Sequence, residues 1–248
     1  MAAMLRQTAI VVVGCGIAGA LVGGIGSRLV MRLGALAAPE ARGALTENGN
    51  MVGEITIMGT IGLMIFGGVS SAIFGSGAYT VAGPWLPRST AVRGLAFGGF
   101  LLALMGSTII DPGNADFMIL GDRVLNVVLF SALFIAFGLV GSEAVTILES
   151  RVPHAPALSP RMWALTLLIT LPIVPGLAVI TLGFDPNLGV PLVGAWAAML
   201  LSAWLDRRAL RRQAMLTRTL ATAVVLAIVV IAAARYVDSV ATILNAPA

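Results

Sequence analysis

Ser27-Arg28-Leu29-Val30-Met31-Arg32 … Thr46-Glu47-Asn48-Gly49-Asn50-Met51-Val52-Gly53-Glu54 is the stretch on which the reading of the fold turns. Two arginines close one apolar segment, and two glutamates and two asparagines open the next. On either side the chain stays apolar for about 20 residues, the length of helix that crosses about 30 Å of bilayer hydrocarbon. The polar stretch therefore reads as the loop of a membrane hairpin. Working outward, the same alternation yields seven apolar runs, near 8–27, 55–81, 91–110, 124–148, 162–182, 188–205 and 219–235. The first run either continues through 28–38 as one long tilted helix or gives way there to an interfacial segment. The expected fold is all-α: a polytopic membrane bundle of about seven transmembrane helices forming a single domain over 1–248.

Composition supports this reading. Of 248 residues, 58% are hydrophobic and 10% charged, with a mean hydropathy of +1.00. Soluble domains carry about 25% charged residues, so this chain lacks the polar groups to cover itself in water. All 15 basic residues are arginine. A net charge of +4 would suggest nucleic acid in a soluble protein, but arginines lying between apolar runs report membrane orientation instead, and no nucleic-acid partner is expected. With the N-terminus inside, Arg6, Arg88, Arg93, Arg151, Arg161, Arg207, Arg208, Arg211, Arg212 and Arg218 fall on the inner side. Arg28, Arg32, Arg42, Arg123 and Arg235 fall outside. That asymmetry predicts N-in and C-out. Trp85, Trp163 and Trp204 then lie at the inner interface, as an aromatic belt places them.

Missing residues exclude chemistry. Without lysine there is no Schiff base, so a retinal protein is ruled out despite the span count. Cys15 alone makes no intrachain disulfide or multi-cysteine metal site, and His154 alone makes no paired-histidine haem site or HExxH motif. Gly14-Cys15-Gly16-Ile17-Ala18-Gly19 matches a GxGxxG pattern. However, it is followed by more apolar sequence and two arginines rather than by a strand ending in an acid, so it reads as a glycine-rich helix face. Neither the lipobox-like Val12-Val13-Gly14-Cys15 nor Ala35-Leu36-Ala37 has the flanks of a processing site, and the first helix is expected to be uncleaved.

Glycine spacing points to packing. Gly19-x-x-x-Gly23, Gly94-x-x-x-Gly98 and Gly59-x-x-Gly62 set small residues on single helix faces, where backbones can approach closely, and Gly67, Gly68, Ser70, Ser71, Gly75 and Gly77 continue that style. The sharper alternative is a groove for a lipid, carotenoid or quinone lined by bare backbone. Pro172 and Pro175 should kink the fifth run. Asp111-Pro112 and Asp185-Pro186 suit either helix starts or short interfacial turns.

Three groups of polar residues are candidate sites. Outer-loop oxygens from Glu47, Asn48, Asn50, Glu54, Asp111, Asn114, Asp116, Asp122, Asp185 and Asn187 could hold a hard cation such as calcium, although none of these loops has EF-hand spacing and caps or turns account for most of the residues. No other cofactor is expected. Arg28 and Arg32, one helical turn apart, either pair with Glu47 or Glu54, contact lipid phosphate, or clamp an anionic substrate. Glu143, the acid set inside an apolar run, serves either an interfacial ion pair or proton and substrate coupling.

The run Gly26-Ser27-Arg28 … Met31-Arg32 … Leu45-Thr46-Glu47-Asn48-Gly49-Asn50 … Gly53-Glu54-Ile55-Thr56-Ile57-Met58-Gly59-Thr60 … Phe66-Gly67-Gly68, followed by Asp111-Pro112-Gly113-Asn114-Ala115-Asp116-Phe117, resembles uncharacterised membrane proteins of actinobacteria and related bacteria. The resemblance covers roughly the first 150 residues. It implies a multi-pass protein of the bacterial plasma membrane and carries no known activity. Two functions are therefore expected to compete. One is a non-catalytic subunit or scaffold that holds lipids, a hydrophobic ligand or other membrane subunits. The other is a small cation or solute transporter using Glu143 and the acidic outer loops.

Overall fold

The computed structural model describes residues 2–37, 39, 43, 56–113, 122–153, 186–207 and 210–246. These are helical almost throughout, with no strand among the described residues. In chain order they form α1 (Ala2–Ala18), a π-helical segment (Gly19–Gly26), α2 (Ser27–Ala37), α3 (Ile57–Ala82), α4 (Thr90–Ile109), α5 (Arg123–Arg151), α6 (Pro186–Arg207) and α7 (Arg211–Asn245). Five helices among the described residues are long and apolar enough to cross a membrane: Leu5–Ala37, Ile57–Trp85, Thr90–Ile109, Arg123–Arg151 and Arg211–Asn245. Helix α6 carries a shorter apolar stretch, Leu188–Met199. The run expected at 162–182 lies outside the described residues.

The first helix resolves the alternative left open by sequence, because α1, the π-helical segment and α2 run on without a break to Ala37. Four of the eight π-helical residues are glycine, and bare backbone tolerates the wider turn. At its end the Ser27 N–H donates to the Val22 carbonyl, five residues back, while Ser27 Oγ donates to the carbonyls of Gly23 (2.5 Å) and Gly24 (3.0 Å). Each residue added to a helix rotates the remainder of that helix by about 100°. The segment therefore re-aims α2, and Arg28 with it, relative to α1.

The last helix corrects a boundary. The expected run 219–235 is only the middle of α7, which spans 35 residues, about 52 Å at 1.5 Å per residue. Arg218, expected in the flanking loop, and Arg235, expected at the end of the run, both lie well within it. Hydropathy stops where charge begins, but a helix does not: arginine and threonine are compatible with helix, and the ends continue past the apolar stretch.

Two of the local starts have capping residues. Thr56 Oγ1 accepts from Gly59 N–H (3.1 Å) at the head of α3, and Asp122 Oδ1 accepts from Leu125 N–H (3.0 Å) at the head of α5. The end of α5 is closed from outside. Arg6 donates to the carbonyls of Glu149 (2.8 Å), Val152 (2.7 Å) and Pro153 (2.9 Å), a cation on the carbonyls of a helix C-terminus. At the same end Trp85 Nε1 donates to Thr222 Oγ1 (3.1 Å), and at the opposite end Arg123 donates to the Ala246 carbonyl (2.5 Å).

Packing divides the bundle into pairs. The first helix lies against α3 and α5, α4 against α5, and α7 against both α4 and α6. The main core, at the end bearing Arg6, gathers Val11, Cys15, Tyr79, Phe97, Val145 and Leu192. Tyr79 meets Phe97 edge-on, with ring centroids 4.8 Å apart at 77°.

Candidate functional site

Small residues build two seams. In the first, α4 meets α5: a Cβ on Gly94 would lie 2.7 Å from Leu139 Cα, and one on Gly98 would lie 2.7 Å from Ile135 Cα and 2.8 Å from the Phe134 carbonyl. Gly138 answers from α5, where a Cβ would run into the backbone of Gly94 and Gly98. The expected Gly94/Gly98 face is a packing face. In the second seam the first helix descends antiparallel to α3. Gly16 faces Gly68 and Ala72, Gly19 faces Gly67 and Ser71, and Gly24 faces Met64. Gly19 and Gly23 both meet Gly67, as their spacing predicts, and the last step of the seam sets Arg28 on Gly59. Gly59 and Gly62 do not form a packing face. A Cβ on Gly59 would strike the Arg28 guanidinium, whereas one on Gly62 would meet nothing within 4 Å.

Beside the second seam the bundle opens into an apolar cavity of about 280 Å³. Gly23, Ser70 and Ser71 supply its small side, while Phe74, Phe130, Phe134 and Phe137 supply its aromatic side. Phe137 joins it to the core, since its ring lies 6.2 Å from that of Phe97 and it packs on Gly75, where a Cβ would be 2.9 Å from Phe137 Cζ. The glycines and serines were legible as a possible hydrophobic groove, but the phenylalanines were missed. Their spacing on α5, at i, i+4 and i+7, is the signal that puts them on one helix face.

A second, more polar cavity of about 400 Å³ lies at the Arg6 end, among Gln7, Tyr79, Thr80, Arg88, Arg93 and Glu149. Much of its hydrogen-bonding capacity is already used internally. Gln7 Nε2 donates to Glu149 Oε1 (2.5 Å), and Arg93 donates to the carbonyls of Pro87 (3.1 Å) and Arg88 (3.0 Å). A ligand there would have to displace bonds that close the bundle end.

The residues singled out from sequence separate on the structure. Arg28 is buried, 6% exposed, and its Nε has no hydrogen-bond partner among the described residues, whereas Arg32, one turn on, is exposed. Glu143 lies on the exposed side of α5 and lines neither of these cavities. Asp111 does not start a helix: its Oδ1 accepts from Gly113 N–H (3.0 Å) in a tight turn. Pro186, from the second Asp-Pro pair, is instead the first residue of α6. Glu47, Asn50, Glu54, Asn114, Asp116 and Asp185 lie outside the described residues. No group of three or more acidic, histidine or cysteine side chains that could hold a metal occurs among the described residues.

Comparison with protein-family models, with curated proteins and with solved structures finds no match to this chain.

Proposed function

We propose that this chain is a multi-pass protein of the bacterial plasma membrane, with seven spans and the N-terminus inside, that holds a hydrophobic ligand or lipid chain as a non-catalytic binder or scaffold. The observation that carries the reading is the apolar cavity bounded by four phenylalanines and by glycine and serine backbone. Binding sites for hydrophobic molecules are concave and mostly apolar. A cavity of this kind among helices that can cross a bilayer is within reach of lipid chains. The arginine asymmetry supports the orientation, and the resemblance of the first 150 or so residues supports the bacterial setting. Transport fits less well, because it calls for polar groups facing a central pathway, and Glu143 sits on an exposed face.

Native mass spectrometry of protein extracted gently from its own membranes tests the reading. Wild type is expected to retain a lipid or other hydrophobic molecule at stoichiometric occupancy. Ser70→Phe, which fills the small side of the cavity, is expected to lose most of that occupancy while its delipidated form melts at the same temperature as delipidated wild type. Equal retention by both proteins, or none by wild type, overturns it.

A further inference from the structure

We propose that Arg28 and the first turn of α3 form a receptor for a phosphate group, and that the lipid held in the cavity is one whose phosphate seats there. This rests on the hydrophobic-ligand reading and names the class of ligand.

The Arg28 charge has no compensating partner among the described residues. Its side chain is more than nine-tenths buried, its Nε is shielded and unpartnered among the described residues, and its guanidinium lies against Gly59. Guanidinium does not shed its proton in proteins, so burial cannot neutralise it, and an unpaired buried charge is strongly unfavourable. Gly59 stands in the first turn of the 26-residue helix α3. There Thr56 caps the Gly59 N–H, but the earlier amides have no intrahelical carbonyl to bond, and the helix dipole is positive. Two positive features set side by side favour an anion that can contact both. Phosphate oxygens suit both, taking the guanidinium fork and helix N–H groups together.

Position connects this site to the cavity. Ser70, on the cavity wall, is 11 residues beyond Gly59 on α3, which is three turns plus about 20° and a rise of about 16 Å. The two therefore share a helix face at a separation close to half the hydrocarbon thickness. Along that face Gly62 borders open space and Phe66 is 70% exposed, so the track from Arg28 to the cavity is uncovered. A headgroup at Arg28 can send an acyl chain down this track.

The test uses the full-length protein, delipidated in detergent and titrated with dioleoyl phosphatidic acid, with dioleoylglycerol (the same chains without phosphate) and with inorganic phosphate, reading affinity from the shift in melting temperature. Wild type is expected to prefer phosphatidic acid by about tenfold or more, the scale of a charge-assisted hydrogen-bond pair, and to gain nothing from inorganic phosphate at the same concentration. Arg28→Gln should erase the preference while leaving dioleoylglycerol binding intact. Gly59→Ala keeps the guanidinium but sets a methyl where Arg28 Nη2 and the Thr56 hydroxyl now lie, displacing both from the first turn, so it should also reduce the preference even if Arg28→Gln folds poorly. Ser70→Phe should weaken both lipids alike. Equal affinity for the two lipids overturns the phosphate site but leaves the cavity reading standing, whereas binding of neither defeats the cavity reading itself. A full shift with inorganic phosphate alone overturns the lipid as its source. If lipid preference is absent and Glu47→Gln or Glu54→Gln destabilises the lipid-free protein as much as Arg28→Gln, with no further loss in the double variant, the counter-anion is the chain's own carboxylate and the proposal falls.

Discussion

The two glycine seams use the same sequence device and end differently. Between α4 and α5 the backbones meet on both sides: Gly94 and Gly98 press on Leu139 and Ile135, and Gly138 presses back between them. Between the first helix and α3 contact is equally close at Gly19 and Gly24, but a Cβ on Gly23 would sit in ordinary van der Waals contact, 3.6 Å from Gly67 Cα, and the cavity opens beside it. The difference lies in helix type. Helix α4 is regular throughout, whereas the first helix is π-helical from Gly19 to Gly26. Widening the turn inserts a residue into the register, so the seam leaves space on one side and delivers Arg28 to Gly59 at its end. Small residues permit close approach; whether the approach closes depends on the regularity of the helix carrying them.

Breaking the closed seam should have the largest effect. Gly138→Ala places a Cβ among Gly94 and Gly98 backbone atoms, which cannot rotate away, so α4 and α5 must separate. A loss of about 1–3 kcal/mol or more is expected, read as a lowered melting temperature in detergent. Gly23→Ala adds the same methyl where its new contact is ordinary, and should change stability by less than about 0.5 kcal/mol. Similar losses at both sites would mean that the second seam is as tight as the first.

An intermediate effect is expected where α5 meets α7 beyond the cavity. Ser131 Oγ and Tyr236 OH share a 2.7 Å hydrogen bond, and Tyr236 also packs its ring on Gly106. In the Ser131→Ala and Tyr236→Phe double-mutant cycle the coupling should be about 0.6 kcal/mol, typical of hydrogen bonds between membrane helices. Additive effects would show that the bond contributes nothing measurable.

Legibility in the sequence varied from residue to residue. Apolar length alone located the helices at 57–85, 90–109, 123–151 and 186–207 to within a few positions, because lipid-grade segments contrast sharply with their polar flanks. The glycine pattern located both seams. The π-helical segment left no distinct mark, since Gly-rich apolar sequence serves an ordinary close-packed helix equally well. Burial of Arg28 was also illegible: Arg28 and Arg32 look equivalent at a spacing of four, and the packing of one of them on Gly59 separates them. The cavity stood halfway. Its small wall was visible in Ser70 and Ser71, while its aromatic wall required recognising that Phe130, Phe134 and Phe137 share a face opposite that wall.

The smallest expected effect is at Glu143, and it sharpens the contrast between the cavity and the bundle's outer surface. Glu143 is itself exposed, as is Ile147 one turn on at 42%, so Glu143 belongs to the outward side of α5. Eight residues, about 12 Å of rise, separate it from Arg151 at the helix end. A carboxyl in that position, about two turns inside the helix end and turned away from the core, can extend towards the polar end with little demand on the packing. Glu143→Gln should therefore alter stability by no more than about 0.5 kcal/mol and leave lipid occupancy as in wild type, measured by melting temperature and native mass spectrometry. A loss several times larger would assign this face to a protein partner that needs the charge, and loss of proton or cation flux in liposomes of the variant would restore the transport reading. Either result would move the functional centre of the protein from the cavity beside the π-helical segment to the exposed face of α5.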